Sequence, residues 1–416
     1  MNREGIPIND DGDAGDPVLA VDRTSGVFYL AGTSPRNAGW NGIPFWKSVD
    51  GGLTFSNSLV VLAGVTNSDK PWIAVDNATG AGLHDVYAVC TGRTNLSSGV
   101  AGIWLAVSTD GYGTNWSAPG VVQPADGTTA QVNSPIVVMG FNHNGFIFWF
   151  ERTNSLNYLK MRQVLNRGMN LGSVQIVRPL VTTNTPNGNL ELLRSNTATN
   201  TDTFLAFSFP VPAVNPVKTN HLYLAYADKG TNDKADIFFV SSTDGGTNWT
   251  NPARVNTVWT NDQWMPVLAG KPDGTKLFMA WYDRRSDTNN SLIDVYGRWG
   301  TIASNGDVSF YTNDFRITTT SFPPVFVGTD TNNLARGHYD PVYPGQTNLH
   351  WHYADWPTNS LMVASPTYVG HVGEYNGAWA EGQHVYMTWT DYRLTAEGTD
   401  YPRNQSDIRF VRITWP

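Results

Sequence analysis

The chain has 416 residues, a length that allows two or three domains of ~150 residues or one large all-β domain. Charged residues make up only 15% against 12% aromatic, which excludes a disordered chain, a coiled coil and a helical bundle. The net charge of −8 comes with no cluster of Lys and Arg, so nucleic acid is excluded as a partner, and no apolar run reaches the ~18 residues of a membrane span. Cys90 stands alone, so the fold must hold without an intrachain disulfide, and no signal peptide is read after Met1.

Taken in chain order, the predicted elements repeat. Asp16-Pro17-Val18-Leu19-Ala20-Val21-Asp22 predicts a strand, and Val27-Phe28-Tyr29-Leu30 predicts its return after a Gly-containing turn. The same pair recurs as Lys70-Pro71-Trp72-Ile73-Ala74-Val75-Asp76 with Val86-Tyr87-Ala88-Val89, as Ser134-Pro135-Ile136-Val137-Val138 with Phe146-Ile147-Phe148-Trp149, and as Met265-Pro266-Val267-Leu268-Ala269 with Leu277-Phe278-Met279-Ala280. Leu222-Tyr223-Leu224-Ala225 and Val385-Tyr386-Met387-Thr388 repeat the second strand alone. A unit of this length holds four short strands, and four-stranded units around an axis make a β-propeller. The fold class expected is all-β, a single β-propeller over 1–416. Six blades are favoured and seven are the alternative, depending on whether 319–368 is an insertion covering the upper face or a degenerate blade. A strand near Gly5 to Ile8 is expected to close the ring.

A third element lies between these strands. Ser48-Val49-Asp50-Gly51-Gly52-Leu53-Thr54-Phe55 and Ser242-Thr243-Asp244-Gly245-Gly246-Thr247-Asn248-Trp249 share one pattern, and Ser108-Thr109-Asp110-Gly111-Tyr112-Gly113-Thr114-Asn115-Trp116 repeats it with one extra residue. The Asp can accept from turn amides, Gly supplies positive φ, and the aromatic packs beneath. These segments resemble the Asp boxes (BNR repeats) of sialidase-like propellers, and the chain resembles bacterial exported proteins of that kind. The resemblance implies a carbohydrate-directed protein, secreted or periplasmic, that requires no cofactor. It implies that Asp50, Asp110 and Asp244 are structural, on the face opposite the chemistry.

On a propeller, starts of first strands and ends of second strands share the upper face. Starts of first strands give Asp16, Asp69, Lys70, Trp264, Glu374 and Tyr375; ends of second strands give Arg93, Glu151, Arg152, Asp228, Asp283, Arg284, Arg285, Asp391 and Arg393. Asp236, Asp294 and Asp407 begin third strands. Carboxylates beside guanidinium groups and aromatics suit sugar recognition, with Arg forks matched to an acidic glycan. The Asp–Arg pairs that recur from unit to unit suit salt bridges pinning loops. Glu374 and Tyr375 break the repeat, so they are expected to be catalytic with Asp69 and Asp16. Arg284, Arg393, Arg93, Arg152, Lys70, Trp264, Arg336 and Tyr353 are expected to hold substrate.

The segment 336–371 also breaks the repeat. His350 and His352 would share one side of an extended segment, and with His338 they leave a divalent metal open. Three functions fit: a glycoside hydrolase, a non-catalytic extracellular binding propeller, and a polysaccharide lyase using His, Tyr and Arg. True sialidase chemistry is disfavoured, because Phe315-Arg316-Ile317-Thr318 is the only near match to that family's Arg motif and lacks its Pro.

Overall fold

The computed structural model describes residues 15–33, 41–56, 59–94, 101–125, 130–182, 188–193, 203–322, 370–371, 375–391 and 407–416. It is a six-bladed β-propeller with no α-helix among the described residues. Blade 1 is Val18–Val21, Phe28–Ala31, Ile43–Ser48 and Leu59–Val61, paired in sequence order. Blade 2 follows as Val65–Val75, Val86–Thr94, Ala101–Ser108 and Gly120–Ala125. Blade 3 is Ala130–Met139, Gly145–Thr153, Leu156–Leu165 and a split outer strand, Asn170–Leu171 with Gln175–Pro179. Blade 4 is Val211–Val214, Leu222–Asp228, Asp236–Ser242 and Ala253–Arg254. Blade 5 is Gln263–Gly270, Lys276–Asp283, Asp294–Ile302 and another split outer strand, Val308–Phe310 with Phe315–Arg316. Blade 6 shows Gly377–Ala380, His384–Asp391 and Asp407–Thr414. The expected closing strand near Gly5 to Ile8 and the segment 323–369 lie outside the described residues.

The first strands of blades 1 to 6 neighbour one another in that order, which places them around the axis. Arg23 of blade 1 reaches the Trp379 ring of blade 6 at 5.7 Å. Apolar side chains fill the seams between blades. One cluster joins blades 1 and 2 through Tyr29, Phe45, Ile73 and Cys90. Others join blades 2 and 3 through Val89, Ile147 and Trp149, and blades 3 and 4 through Phe148, Leu224 and Tyr226. The largest spans blades 4, 5 and 6, including Tyr223, Trp281 and Trp389. Each blade therefore buries both faces only when its neighbours are present, the reason a repeated sheet of this size closes into a ring.

Two arrangements were not anticipated from the sequence. Leu192–Leu193 pairs antiparallel with Thr203–Leu205, which pairs parallel with Gly370–His371. This small sheet ties the approach to blade 4 to the approach to blade 6, and Leu190 and Leu192 anchor it in the largest core cluster. On the lower face, the turn between first and second strands of one blade latches onto the blade before it. His84 meets Asp22 at 2.5 Å and His143 meets Asp76 at 2.7 Å, both through Nδ1.

The three Gly-containing turns follow third strands, on that lower face. Asp50 accepts from the amides of Leu53 and Thr54 at 3.0 and 2.9 Å, and Asp244 from the Asn248 amide at 2.9 Å. Asp110 accepts from the amides of Tyr112 and Asn115 at 2.9 and 2.7 Å. The Trp116 and Trp249 indoles donate to the carbonyls of Gly113 and Gly246, both at 3.0 Å.

Candidate functional site

The upper axial surface is shaped by a backbone irregularity that the proline pattern announces. Asp16, Lys70, Ser134 and Met265 each precede a proline, and each has φ between 50 and 54°. A residue before proline ordinarily sits in the extended region, so a left-handed conformation there is strained. In blades 2, 3 and 5 the register with the second strand breaks at this point. Such bulges bend a strand and re-aim its side chains. The freed amides are recaptured locally: Lys70 N donates to Asp69 Oδ1 at 2.9 Å, and Ser134 N to Asn133 Oδ1 at 2.7 Å.

Four of the expected site residues meet here, from three blades. The Lys70 ammonium lies 5.0 Å from the Tyr375 ring centre and 5.7 Å from that of Phe209. Burial pulls the Lys70 ammonium below its ordinary range, while Asp16 and Asp69 pull it back up. The Asp69 carboxyl is raised, chiefly by burial; Lys70 opposes this, and Asp16 adds to it both as a charge and through a side-chain hydrogen bond. Burial also drives the Tyr375 phenol far above its normal range, helped by Asp16 and then Asp69. Asp16 acts on this phenol at close range, yet the buried hydroxyl has no hydrogen bond of ordinary geometry among the described residues. The cluster brings two carboxyl groups, one ammonium and one phenol close enough for each to shift the titration of the others.

The remaining expected residues fall elsewhere. Arg284 and Trp264 are both fully buried, the guanidinium 5.3 Å from the indole and 3.3 Å from Asp262. Burial lowers the Arg284 guanidinium to about 10, with Asp262 opposing. Arg152 is half-buried and Arg93 is exposed near the upper end of blade 2. Glu374, Arg393, Arg336, Tyr353, His338, His350 and His352 lie outside the described residues. Among those described, no group of three or more His, Cys, Asp and Glu side chains is arranged to hold a metal ion.

The rim carboxylates read from the sequence are mostly committed to loop pinning. Asp283 binds Arg285 at 2.6 Å, and Glu151 binds Lys160 at 2.6 Å. Asp294 is closed by Arg316 of the outer strand at 2.6 Å, and the arginines after Asp283 do not take that role. Asp228 accepts from the amides of Val181 and Thr182. A Trp two residues earlier donates to the acid at the end of three second strands: Trp149 to Glu151, Trp281 to Asp283 and Trp389 to Asp391, at 3.1, 2.8 and 3.3 Å. That Trp-x-acid spacing puts both side chains on one face of a strand, and it was available in the sequence.

Phe209 was missed by the sequence reading. It packs against Phe207 with ring centres 4.7 Å apart and faces the Lys70 ammonium. The alternation Phe207-Ser208-Phe209 followed by Pro210 was the available signal, since it mirrors the residue-Pro starts of the other blades. Asp262, the partner of Arg284, directly precedes the first strand of blade 5 and was also missed.

No family model matches the chain, and no curated protein matches it. Among solved structures it is similar to the leech intramolecular trans-sialidase, at 12% identity and a TM-score of 0.50 over 99% of this chain and 70% of that one. It is also similar to a protein of unknown function from Dyadobacter fermentans, at 13% identity and a TM-score of 0.49, covering 97% of this chain and 95% of that one. For the Hadza microbial sialidase Hz136 the values are 12% and 0.47, with 91% and 64% covered. At this identity the likeness supports the propeller fold and no particular activity.

Proposed function

We propose that this propeller acts on a carbohydrate, and that Asp16, Asp69, Lys70 and Tyr375 form a proton-transfer centre for hydrolysis of a glycosidic bond. The observation that carries the reading is the pairing of Asp69 with Asp16 in a buried axial site, which keeps a proton on Asp69 above the usual carboxylate range. A carboxylic acid held neutral in this way can protonate the glycosidic oxygen as the C–O bond breaks. Asp16, within hydrogen-bond range of Asp69, is too near it to leave room for an attacking water between them, so its part is to raise the proton affinity of Asp69. Tyr375, its phenol kept protonated, donates a hydrogen bond to a sugar oxygen. Glu374, next to Tyr375 in the chain, stays in the proposal as a further carboxylate. The fold shared with a trans-sialidase agrees with a sugar ligand by analogy. A secreted location goes with this reading; no helix among the described residues is long and apolar enough to cross a membrane.

A second reading is a glycan-binding propeller without turnover. What favours it is that Asp283, Asp294 and Glu151 on the rim are already tied to Arg285, Arg316 and Lys160. One experiment separates the two. Wild-type protein, Asp69→Asn and Tyr375→Phe are incubated with neutral, sialylated and uronic polysaccharides, and both binding and new reducing ends are measured. Hydrolysis by wild type that Asp69→Asn loses while still binding supports the enzyme. Binding with no product from any of the three supports the second reading. An unsaturated product would point instead to elimination, and would shift attention to the expected His and Tyr residues of 336–371.

A further inference from the structure

The upper face carries an aromatic group away from the axis that the cluster above does not use. Trp259 stands between the last strand of blade 4 and the first of blade 5, and 57% of it is exposed. Exposure of this size on an indole ordinarily goes with a loose loop, but this loop is pinned on both sides. Asn256 Nδ2 donates to Asp236, Gln263 and the Val258 carbonyl at 2.6, 2.8 and 2.6 Å. The Thr257 amide and hydroxyl donate to Asp314 at 2.9 and 2.7 Å. Asn261 Nδ2 donates to the carbonyls of Arg284 and Asp287 at 2.9 and 2.7 Å.

The indole itself is held by charge. The Arg254 guanidinium lies 4.2 Å from its ring centre, a cation–π contact that occupies one side of the ring. Arg254 is in turn 4.0 Å from Asp236 and is felt by Asp233. Arg254 thus has Asp236 as its charge partner with Asp233 beside it, so its guanidinium is already committed and not left over for an acidic ligand. The exposed apolar surface here is the Trp259 ring, with Thr257, Thr260 and Asn261 close to it in the chain. That shape suits a small amphipathic body with a CH face and a hydroxyl edge, and offers too little contiguous apolar area for a protein partner.

We infer that Trp259 is the stacking platform of a second, off-axis site that takes a neutral pyranose of an extended glycan. The inference rests on the carbohydrate reading above and extends it: the axial cluster would act on one part of a chain while Trp259 holds another. A rigid aromatic contributes to affinity because little side-chain entropy remains to be lost on binding.

The test is affinity electrophoresis through gels containing arabinan, xylan, galactomannan or mixed-linkage glucan, with wild type, Trp259→Ala, Trp259→Phe and Tyr375→Phe. Trp259 is exposed, so the variants should melt with wild type, and a melting curve checks this. Retardation of wild type by at least one polysaccharide, weakened roughly tenfold in Trp259→Ala and partly restored in Trp259→Phe, is the expected result. Equal retardation of wild type and Trp259→Ala, with Tyr375→Phe weakened, would overturn the off-axis site and leave the carbohydrate reading standing. No retardation of wild type by any of the four would overturn the neutral-glycan site; a sialylated or uronic polysaccharide that does retard it would show that the carbohydrate reading survives alone.

Discussion

The ammonium of Lys70, from blade 2, lies 5.0 Å from the centre of the Tyr375 ring, which opens blade 6. Blade 1 stands between them and contributes Asp16, so three successive first strands deliver one cluster. Lys70 is thereby flanked by an aromatic face and by two carboxyl groups, which oppose the downward pull of burial on its ammonium without cancelling it.

The first prediction concerns pH. Asp69 holds its proton above the usual carboxylate range, chiefly through burial and in part because the Asp16 carboxyl lies beside it. If Asp69 is the proton donor, activity should persist while it is protonated and fall as pH rises through its raised pKa. Asp16→Asn removes the charge that helps to raise it, so the alkaline limb of the pH–rate profile should move to lower pH in that variant. An unmoved limb would show that Asp69 is not the group that titrates.

A second prediction concerns stability and Asp233. Burial, then Asp236 and Asp262, push its carboxyl up to about 8 against Arg254 and the Ala235 amide, and neither oxygen has a hydrogen bond of ordinary geometry among the described residues. The folded state therefore keeps a proton that the unfolded chain releases near pH ~4. The contribution is fully present below that value and is lost as pH rises toward about 8. Asp233→Asn should flatten the decline of the melting temperature across this window. Parallel curves for the two proteins would refute the assignment.

The two lower-face latches should differ in strength. Asp22 accepts from the Thr24 and Ser25 amides and the Ser25 hydroxyl as well as meeting His84. Asp76 is fully buried, with the Ala78 amide and His143 as its side-chain partners. His143→Ala therefore strands a buried carboxylate and should cost about 2–3 kcal/mol, whereas His84→Ala should cost about 1 kcal/mol. Denaturant unfolding of both variants gives the comparison, and an equal loss would contradict it.

The Gly-containing turns should be separable from function. Asp244→Ala removes acceptors for the Asn248 amide and side chain on an exposed turn, and should cost about 1 kcal/mol. Glycan binding on the opposite face should not change. Gly246 has φ of 89° and no room for a methyl, which would meet Met161 Sδ, so Gly246→Ala should destabilise more than Asp244→Ala. Lost binding by a fully stable Asp244→Ala protein would mean that the lower face contacts ligand.

Much of the fold was legible because its determinants are local. Six apolar runs marked the six second strands, and the Asp-Gly turns fixed where third strands end, since a turn's amides are satisfied by residues a few positions away. The residue-Pro starts placed Asp16, Asp69 and Lys70 on the upper face, and the break in that pattern singled out Tyr375. Contacts between distant segments were decided only by ring closure. Phe209 reaching Lys70, Asp262 meeting Arg284, and His143 crossing to Asp76 pair residues whose separation carries no periodicity. The left-handed backbone before each proline is likewise invisible in the sequence, where that position reads as extended. It is held because neighbouring blades pack both faces of the strand and Asp69 or Asn133 recaptures the displaced amide. The sequence thus determined the blades and the residues that face the axis; which of those residues meet was set by how six first strands converge.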